Sequence, residues 1–274
     1  MNRAWQQLHP LSHSAFLHCN GAGDGRDLLL DMGHHGASLD AALQECGSST
    51  VRIAHLLITH NDADHLMLDE AAAMAVAGTE IHLGAASWDH IGDVPAKVAL
   101  GASGHLNLLP PHGEMTLADR TVVWATFPHG VNKPNIAYRI DDQLFSGDTP
   151  VTALLDPANS AAAALLGLDG GSTRGLWINT AQRSRADIHA IADLLGPARR
   201  DKFLANHGIA EDLISAVGKP QLRQFFAGLA RVVPHHLRRA PLPETAVWIR
   251  ERLNAAREVH GFSFRVDFPG SGLS

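Results

Sequence analysis

The stretch Thr59-His60-Asn61-Asp62-Ala63-Asp64-His65 places several polar side chains between two apolar segments. It follows the apolar run Ala54-His55-Leu56-Leu57-Ile58 and precedes residues 66–77, which are rich in Leu, Met and Ala. These neighbours predict a buried strand before the stretch and a helix after it. A loop at such a junction can turn several side chains toward one point. The stretch therefore indicates a functional loop at the edge of a sheet.

The side chains in this loop offer two imidazoles and two carboxylates, those of His60, Asp62, Asp64 and His65. Mixed nitrogen and oxygen ligands suit zinc, iron or manganese better than magnesium or calcium. The alternative is a polar helix N-terminus, in which Asp62 or Asp64 caps the first turn. A cap accounts for one aspartate, but four such residues so close together favour a metal site.

The surrounding sequence alternates predicted strands and helices and then becomes rich in strands. In the first half, Asp27–Asp31 and Glu80–Leu83 read as strands. Further strands are predicted at 121–126, 135–140, 143–146, 176–178 and 202–205, with an Asp141-Asp142 turn between the second and third and a helix near 184–195. Two β-rich halves covered by external helices predict an α/β fold, an αββα sandwich.

The chain changes character after about residue 218. Gly218-Lys219-Pro220 interrupts the pattern, and residues 244–258 read as an amphipathic helix. We therefore predict a domain over residues 1–217 and a C-terminal helical extension over 218–274. The helix would pack on the body or on a partner chain, so a homodimer is one alternative.

Composition limits the cellular location and the binding partners that we expect for this protein. The 274 residues are 45% hydrophobic, enough for a sizeable core, and the net charge of -6 gives no global attraction to nucleic acid or to an anionic membrane. The first residues lack the apolar core of a secretory signal, and no apolar run is long enough to span a bilayer. Cys19 and Cys46 lack CxxC spacing. We expect a cytoplasmic protein without a disulfide framework.

At His60-x-Asp62-x-Asp64-His65 the sequence resembles the His-x-His-x-Asp-His signature of the metallo-β-lactamase superfamily. Other motifs that resemble this superfamily follow in its order: Leu30-Asp31-Met32-Gly33, Phe127-Pro128-His129-Gly130, Phe145-Ser146-Gly147-Asp148-Thr149 and Leu204-Ala205-Asn206-His207. The resemblance covers roughly residues 15 to 210 and implies this superfamily's αββα fold.

The resemblance also implies a site for two divalent transition-metal ions, with zinc the first expectation and iron or manganese the alternatives. One ion would be held by His60, Asp62 and His129, and the other by Asp64, His65 and His207. Asp148 would bridge the two ions and, with Asp64, serve catalysis. His235 and His236 compete with His207, which we prefer because it follows a strand-like run. Asp31 would either orient the metal loop or cap a turn.

Asp62 departs from the commonest signature, in which this ligand is a histidine. A carboxylate favours iron or manganese more than an imidazole does, although it can also bind zinc. With an aspartate at this position, the motif resembles that of the hydrolase domain of competence-type DNA uptake proteins. A glutamate here would resemble the di-iron flavoproteins and related oxygenases. The hairpin from Asn135 to Ile140, followed by Ser146-Gly147-Asp148-Thr149, is similar to that of the ribonuclease Z and cyclic phosphodiesterase branch.

These resemblances favour a dinuclear metal-dependent hydrolase in which hydroxide attacks a phosphodiester or related phosphoester. The alternatives are an ester, lactone or thioester hydrolase, a di-iron oxidoreductase or oxygenase, and a metal-binding protein without turnover. The expected partner is a small-molecule or phosphoester substrate. Nucleic acid stays open as a substrate, but the net charge does not favour it, and no membrane partner is expected.

Several other residues allow two interpretations. His55 and His82 lie in strand-like runs, so packing or hydrogen bonding is expected of them, and Tyr138 is expected to be structural. His34 and His35 follow Asp31-Met32-Gly33, so one interpretation places them in the metal cleft and the other leaves them outside it. The basic segment 231–239 could contact phosphate, but a solvated loop is the preferred interpretation.

Overall fold

The computed structural model describes the following residues, with the backbone alone over 242–248: 5–8, 15–19, 26–33, 38–129, 133–149, 154, 156, 158–168, 173–179, 193–197, 199–200, 219–235 and 242–267. Within them, the chain forms two sheets with helices on their outer faces.

The first sheet contains six described strands in sequential order. They are β1 (Gln6–Gln7), β2 (Phe16–His18), β3 (Asp27–Leu30), β4 (Ile53–Ile58), β5 (Glu80–Gly84) and β6 (Leu106–Leu109). Strands β3 to β6 run parallel. Leu56 and Ile58 of β4 pack toward the helices and Leu57 toward the second sheet, which explains the continuous apolar run.

The second sheet contains seven described strands, also in sequential order. They are β7 (His112–Leu117), β8 (Arg120–His129), β9 (Lys133–Ile140), β10 (Gln143–Phe145), β11 (Gly175–Asn179), β12 (Arg231–His235) and β13 (Arg265–Val266). Strands β7 to β10 form an antiparallel meander, and β10 to β13 run parallel. Asp141 has a φ of 52° in the turn between β9 and β10, as a tight hairpin requires.

Helices cover the outer face of each sheet. The described helices are α1 (Leu39–Glu45), α2 (Leu68–Val76), α3 (Ala85–Asp89), α4 (Pro95–Ala102), α5 (Ser160–Leu166), α6 (Pro220–Gly228) and α7 (Leu242–His260). Apolar residues of α1, α2 and α4 share a core with the first sheet, and those of α5, α6 and α7 share one with the second. A third core lies between the two sheets, around Phe16, Leu57, Tyr138 and Trp177. This four-layer arrangement confirms the predicted αββα sandwich.

The C-terminal segment contributes more than helices. Strands β12 and β13 extend the second sheet, so the prediction that 218–274 is a helical extension is incomplete, whereas the division at residue 217 remains a prediction. Val232 and Val233 are buried in β12, which also corrects the interpretation of residues 231–235 as a solvated loop. The strand predicted at 202–205 and most of the helix near 184–195 lie outside the described residues. No helix in the described ranges is both long and apolar enough to cross a bilayer.

Candidate metal centre

The predicted ligands that the structure describes meet at one edge of both sheets. His60, Asp62, Asp64 and His65 lie in the loop between β4 and α2, His129 ends β8, and Asp148 follows β10. Two hydrogen bonds join the sheets beneath this loop: Ile136 N donates to Thr59 O at 2.8 Å, and Tyr138 Oη donates to Ile58 O at 3.0 Å. Tyr138 is therefore structural, as expected.

The first group of candidate ligands surrounds Oδ2 of Asp62. This oxygen lies 3.7 Å from His60 Nε2 and 3.6 Å from His129 Nε2. Asp148 Oδ2 completes the group at 4.0 Å from His60 Nε2 and 3.6 Å from His129 Nε2. Ligands about 2.1 Å from a tetrahedral ion are roughly 3.4 Å apart, so this spacing suits one ion.

The second group contains Asp64 and His65. His65 Nε2 lies 3.1 Å from Asp148 Oδ1 and 3.9 Å from Asp64 Oδ2. The imidazole rings of His60 and His65 are 4.0 Å apart between centroids, so the two groups are adjacent. The two carboxylate oxygens of Asp148 therefore face different groups, as a bridging ligand requires. His207, the predicted third ligand of the second ion, lies outside the described residues.

All three imidazoles use Nδ1 for a contact within the protein. Nδ1 of His60 lies 3.0 Å from Thr59 Oγ1, that of His65 lies 2.8 Å from Asp31 Oδ2, and that of His129 lies 3.1 Å from the carbonyl oxygen of Asp148. A proton on each Nδ1 satisfies these contacts and leaves the Nε2 lone pair facing the carboxylates. Hydrogen bonds of this kind fix the tautomer and orientation of metal-ligating histidines.

Asp31 anchors the loop from the end of β3. It is fully buried and has a φ of 54°, an unusual conformation for a residue other than glycine. Its Oδ1 accepts from Thr59 N at 2.7 Å, and its Oδ2 accepts from Thr59 Oγ1 at 2.8 Å. Because the same carboxylate contacts His65, Asp31 orients the loop. The structure thus favours the first of the two predicted roles.

Asn135 anchors Asp148 from β9. This buried amide accepts from Asp148 N at 2.9 Å, and its Nδ2 donates to Ser146 O at 3.1 Å and to Thr149 Oγ1 at 2.6 Å. Gly147 has a φ of 54°, and a Cβ there would overlap the Asn135 side chain. The backbone before the candidate bridging ligand is therefore fixed by a side chain in the neighbouring strand.

The electrostatics of the site suit bound cations. Asp31, Asp62, Asp64 and Asp148 converge, and buried carboxylates are costly unless they are paired with cations or hydrogen-bond donors. Lys133 Nζ donates to Asp62 Oδ1 at 2.7 Å, and contacts with His129, His60 and Lys133 hold the pKa of Asp62 well below its usual range. Burial disfavours a charge on His65, but Asp148 and Asp31 outweigh it and raise the pKa of His65 to about 10. The surroundings of His65 therefore favour a positive charge at Nε2, and a bound ion would supply that charge in place of the Nε2 proton.

His60 gives the clearest indication that an ion fits. Burial lowers the pKa of His60, which favours a neutral ring. Among the residues that the structure describes, its buried Nε2 has no hydrogen-bond partner, although it faces Asp62 and Asp148. Such an orphaned lone pair is costly without a partner, and a divalent ion would supply one. Geometrically, the groups that could hold a metal within the described residues are His60, Asp62 and His129, and His60, His65 and Asp148.

Solved structures share this fold. The metallo-β-lactamase fold protein YhfI from Bacillus subtilis is similar to this chain with a TM-score of 0.57 and 14% identity, over 94% of this chain and 90% of that chain. The chain has the metallo-β-lactamase fold. CmlA, a diiron β-hydroxylase from Streptomyces venezuelae, is similar with a TM-score of 0.53 and 16% identity, over 94% of this chain and 52% of CmlA. The chain thus spans about half the length of CmlA. By sequence, it matches no protein-family model and no curated protein.

Of the other histidines in this metallo-β-lactamase fold, His55, His82 and His235 belong to neither ligand group within the described residues. His235 ends β12, where its ring is buried and the ring centroid lies 4.9 Å from that of Phe16. Its surroundings are therefore aromatic. His82 Nε2 lies 3.3 Å from His55 Nδ1, as expected of a packed pair. His34, His35 and His236 lie outside the described residues. The identity of the final ligand stays a prediction.

Sequence reasoning gave no role to Thr59, Lys133 or Asn135. Lys133 contacts Asp62, which lies 71 positions earlier in the sequence, so no local sequence pattern indicates this contact. Asn135 carried a usable signal, because asparagine is depleted in strands and a buried one needs several hydrogen-bond partners. Thr59 precedes His60 directly, and this adjacency is a local signal for a hydroxyl that contacts the neighbouring ring.

Proposed function

We propose that this protein is a dinuclear metal-dependent hydrolase that cleaves a phosphodiester or a related phosphoester. The observation that carries the proposal is the position of Asp148, whose two oxygens face two groups of candidate ligands. His60, Asp62 and His129 would hold the first ion, and Asp64 and His65, with His207, the second. Two bound divalent ions would lower the pKa of a shared water and stabilise negative charge on the phosphoryl group.

The residues of the chain would keep this arrangement in place. Asp31 and Thr59 hold the imidazoles of His60 and His65 with Nε2 toward the centre, so these rings need no reorientation. Asn135 fixes the backbone of Asp148. Zinc is the first candidate for the ions, and the three carboxylates Asp62, Asp64 and Asp148 make iron or manganese the alternatives.

Lys133 supports an anionic substrate. Its side chain is 51% exposed, so its ion pair with Asp62 contributes little to stability. At the solvent side of the first ligand group, the ammonium offers a positive charge that a phosphoester oxygen could contact. A neutral ester or lactone would not use this charge, which is why the phosphoester is the leading substrate class.

A di-iron oxygenase is the second candidate, and Asp62 favours it. Its Oδ2 lies within the first ligand group, so that group contains a carboxylate where an imidazole is commoner. A harder ligand set is better suited to iron. CmlA, which shares the fold, is a diiron β-hydroxylase.

Reconstitution with different metals distinguishes the two candidates. Metal-free protein would be loaded with zinc, manganese or ferrous iron and assayed with bis-(p-nitrophenyl) phosphate, a p-nitrophenyl ester and a lactone. We expect phosphodiester cleavage with redox-silent zinc, independent of oxygen, and its loss in Asp148→Ala but not in the exposed control Asp93→Ala. Oxygen consumption with ferrous iron and a reductant, without cleavage of any phosphoester by any metal form, would instead establish the oxygenase.

A further inference from the structure

A polar cavity lies at the end of the second sheet opposite the candidate metal centre. Its volume is about 640 Å³, and residues at or near the beginnings of strands line it, among them Gln143, Arg174, Arg231 and Arg265. Strand β10 begins at Gln143 beside the cavity and leads toward Asp148. At about 3.3 Å per residue, the cavity and the candidate metal centre are roughly 15 Å apart. The cavity is therefore separate from the site described above.

Two arginines occupy paired positions on the cavity rim. Arg231 of β12 and Arg265 of β13 are direct neighbours in the sheet, and like charges in such positions repel. Arg231 Nε donates to Oδ2 of Asp267 at 2.6 Å, and Arg265 Nε forms an ion pair with the same oxygen at 2.9 Å. One carboxylate thus serves two guanidinium groups, and one positive charge is left over.

The guanidinium of Arg231 is also held in place by an aromatic ring. Its central carbon lies 4.8 Å from the ring centroid of the buried Trp177, and Trp177 Nε1 donates to Gln143 Oε1 at 3.2 Å. This cation–π contact and the ion pair with Asp267 fix the planar group before any ligand arrives. A fixed guanidinium loses less conformational entropy on binding.

Arg174 adds a further positive charge on a rigid backbone. Its carbonyl oxygen accepts from Ala230 N at 2.8 Å and from Arg231 N at 3.0 Å, and its N–H donates to Asp142 O at 2.8 Å. Its side chain forms no ion pair with any residue in the described ranges. On the far rim, Arg120 pairs with Asp141, and Asp142 accepts from Gln143. The four arginines exceed the three aspartates Asp141, Asp142 and Asp267 by one charge, in a chain whose net charge is -6.

We propose that this cavity binds a phosphate-bearing anion. Guanidinium groups bind phosphate oxygens through paired hydrogen bonds, and Arg174, Arg231 and Arg265 are placed around one space. The volume lies within the usual range for small-molecule sites and exceeds that of a phosphate group. The remaining space, beside Trp5 and Ile140, would accept the organic part of a small phosphate monoester.

Calorimetric titration of the 274-residue chain with inorganic phosphate and with AMP tests the proposal. We expect saturable binding that weakens by about tenfold or more in Arg174→Gln and in Arg265→Gln, because each loses a charge-assisted contact. The exposed Arg223→Gln on α6 is the matched control and should bind as the wild type does. Binding should persist in Asp148→Ala, which alters the metal centre alone.

The two probes separate the sources of the phosphate group. Equal affinities assign the cavity to free phosphate, and tighter binding of AMP assigns it to an organic phosphate. The proposal is wrong if neither probe binds at millimolar concentration. It is also wrong if both arginine variants bind like the wild type, or if Asp148→Ala abolishes the signal.

Discussion

Replacement of Asn135 by alanine should loosen the segment that carries Asp148. Asn135 is fully buried and makes hydrogen bonds to Asp148 N, Ser146 O and Thr149 Oγ1. Alanine removes all of them and leaves the Asp148 N–H and the Thr149 hydroxyl without this partner, whereas Ser146 O still accepts from Thr149 N. Each such group costs about 1–3 kcal/mol, so the free energy of unfolding should fall by roughly 3 kcal/mol.

The same substitution should weaken metal binding. Loss of a residue that orients a ligand typically costs about 10–100-fold in metal affinity. Urea unfolding would measure the loss of stability, and competition with a chromogenic chelator would measure the affinity for zinc. Both quantities should fall in Asn135→Ala, because one side chain supports both the local fold and the position of Asp148.

Asn159→Ala is the matched control. Asn159 is an exposed helix cap that accepts from Ala161 N and Ala162 N, far along the chain from the ligands. Its loss should cost about 1 kcal/mol of stability and leave zinc affinity unchanged. Wild-type zinc affinity in folded Asn135→Ala would refute the positioning role.

Three further predictions concern Lys133, Asp31 and His82. Lys133→Met should raise KM for an anionic phosphodiester several-fold while stability stays within about 1 kcal/mol, since exposed ion pairs contribute little; an unchanged KM would contradict the proposed contact. Asp31→Asn should lower metal content, because an amide at Oδ2 can no longer accept from both His65 and Thr59, and full metal content by elemental analysis would contradict this. The pKa of His82 is lowered from 6.5 to about 4 by burial and by His55, so its neutral form is favoured on folding. The contribution of His82 to the free energy of unfolding should therefore be fully present above pH 6.5. It should be lost as the pH falls toward 4, which lowers the free energy of unfolding by up to about 3 kcal/mol. His82→Gln should flatten this decline in urea unfolding at a series of pH values, and an equal decline in both proteins would contradict the assignment.

The central strands and the ligand loop could be predicted because their signals are local. The run before Thr59 is apolar on both faces, and four candidate ligands follow it within a few residues. Strand β12 gave a misleading signal, because Pro234 argues against an interior strand. The structure tolerates this proline because, within the described part of the chain, β13 pairs with Arg231 and Val232, so Pro234 lies beyond that pairing.

The contacts that orient the ligands could not be predicted because they join distant parts of the chain. Asp31 reaches Thr59 and His65 only after β3 and β4 pair, and Lys133 reaches Asp62 only after the two sheets pack. A sequence shows which residues can act as ligands. It does not show which side chains hold them, since that depends on sheet order and register.

Metal content per chain, measured side by side in wild-type protein and Asp148→Ala, tests the two-ion site most directly. The arrangement of Asp148 between both ligand groups predicts close to two ions per wild-type chain and the loss of both in the variant. A wild-type protein that takes up neither zinc, manganese nor iron would contradict the account, and so would a variant that retains both ions.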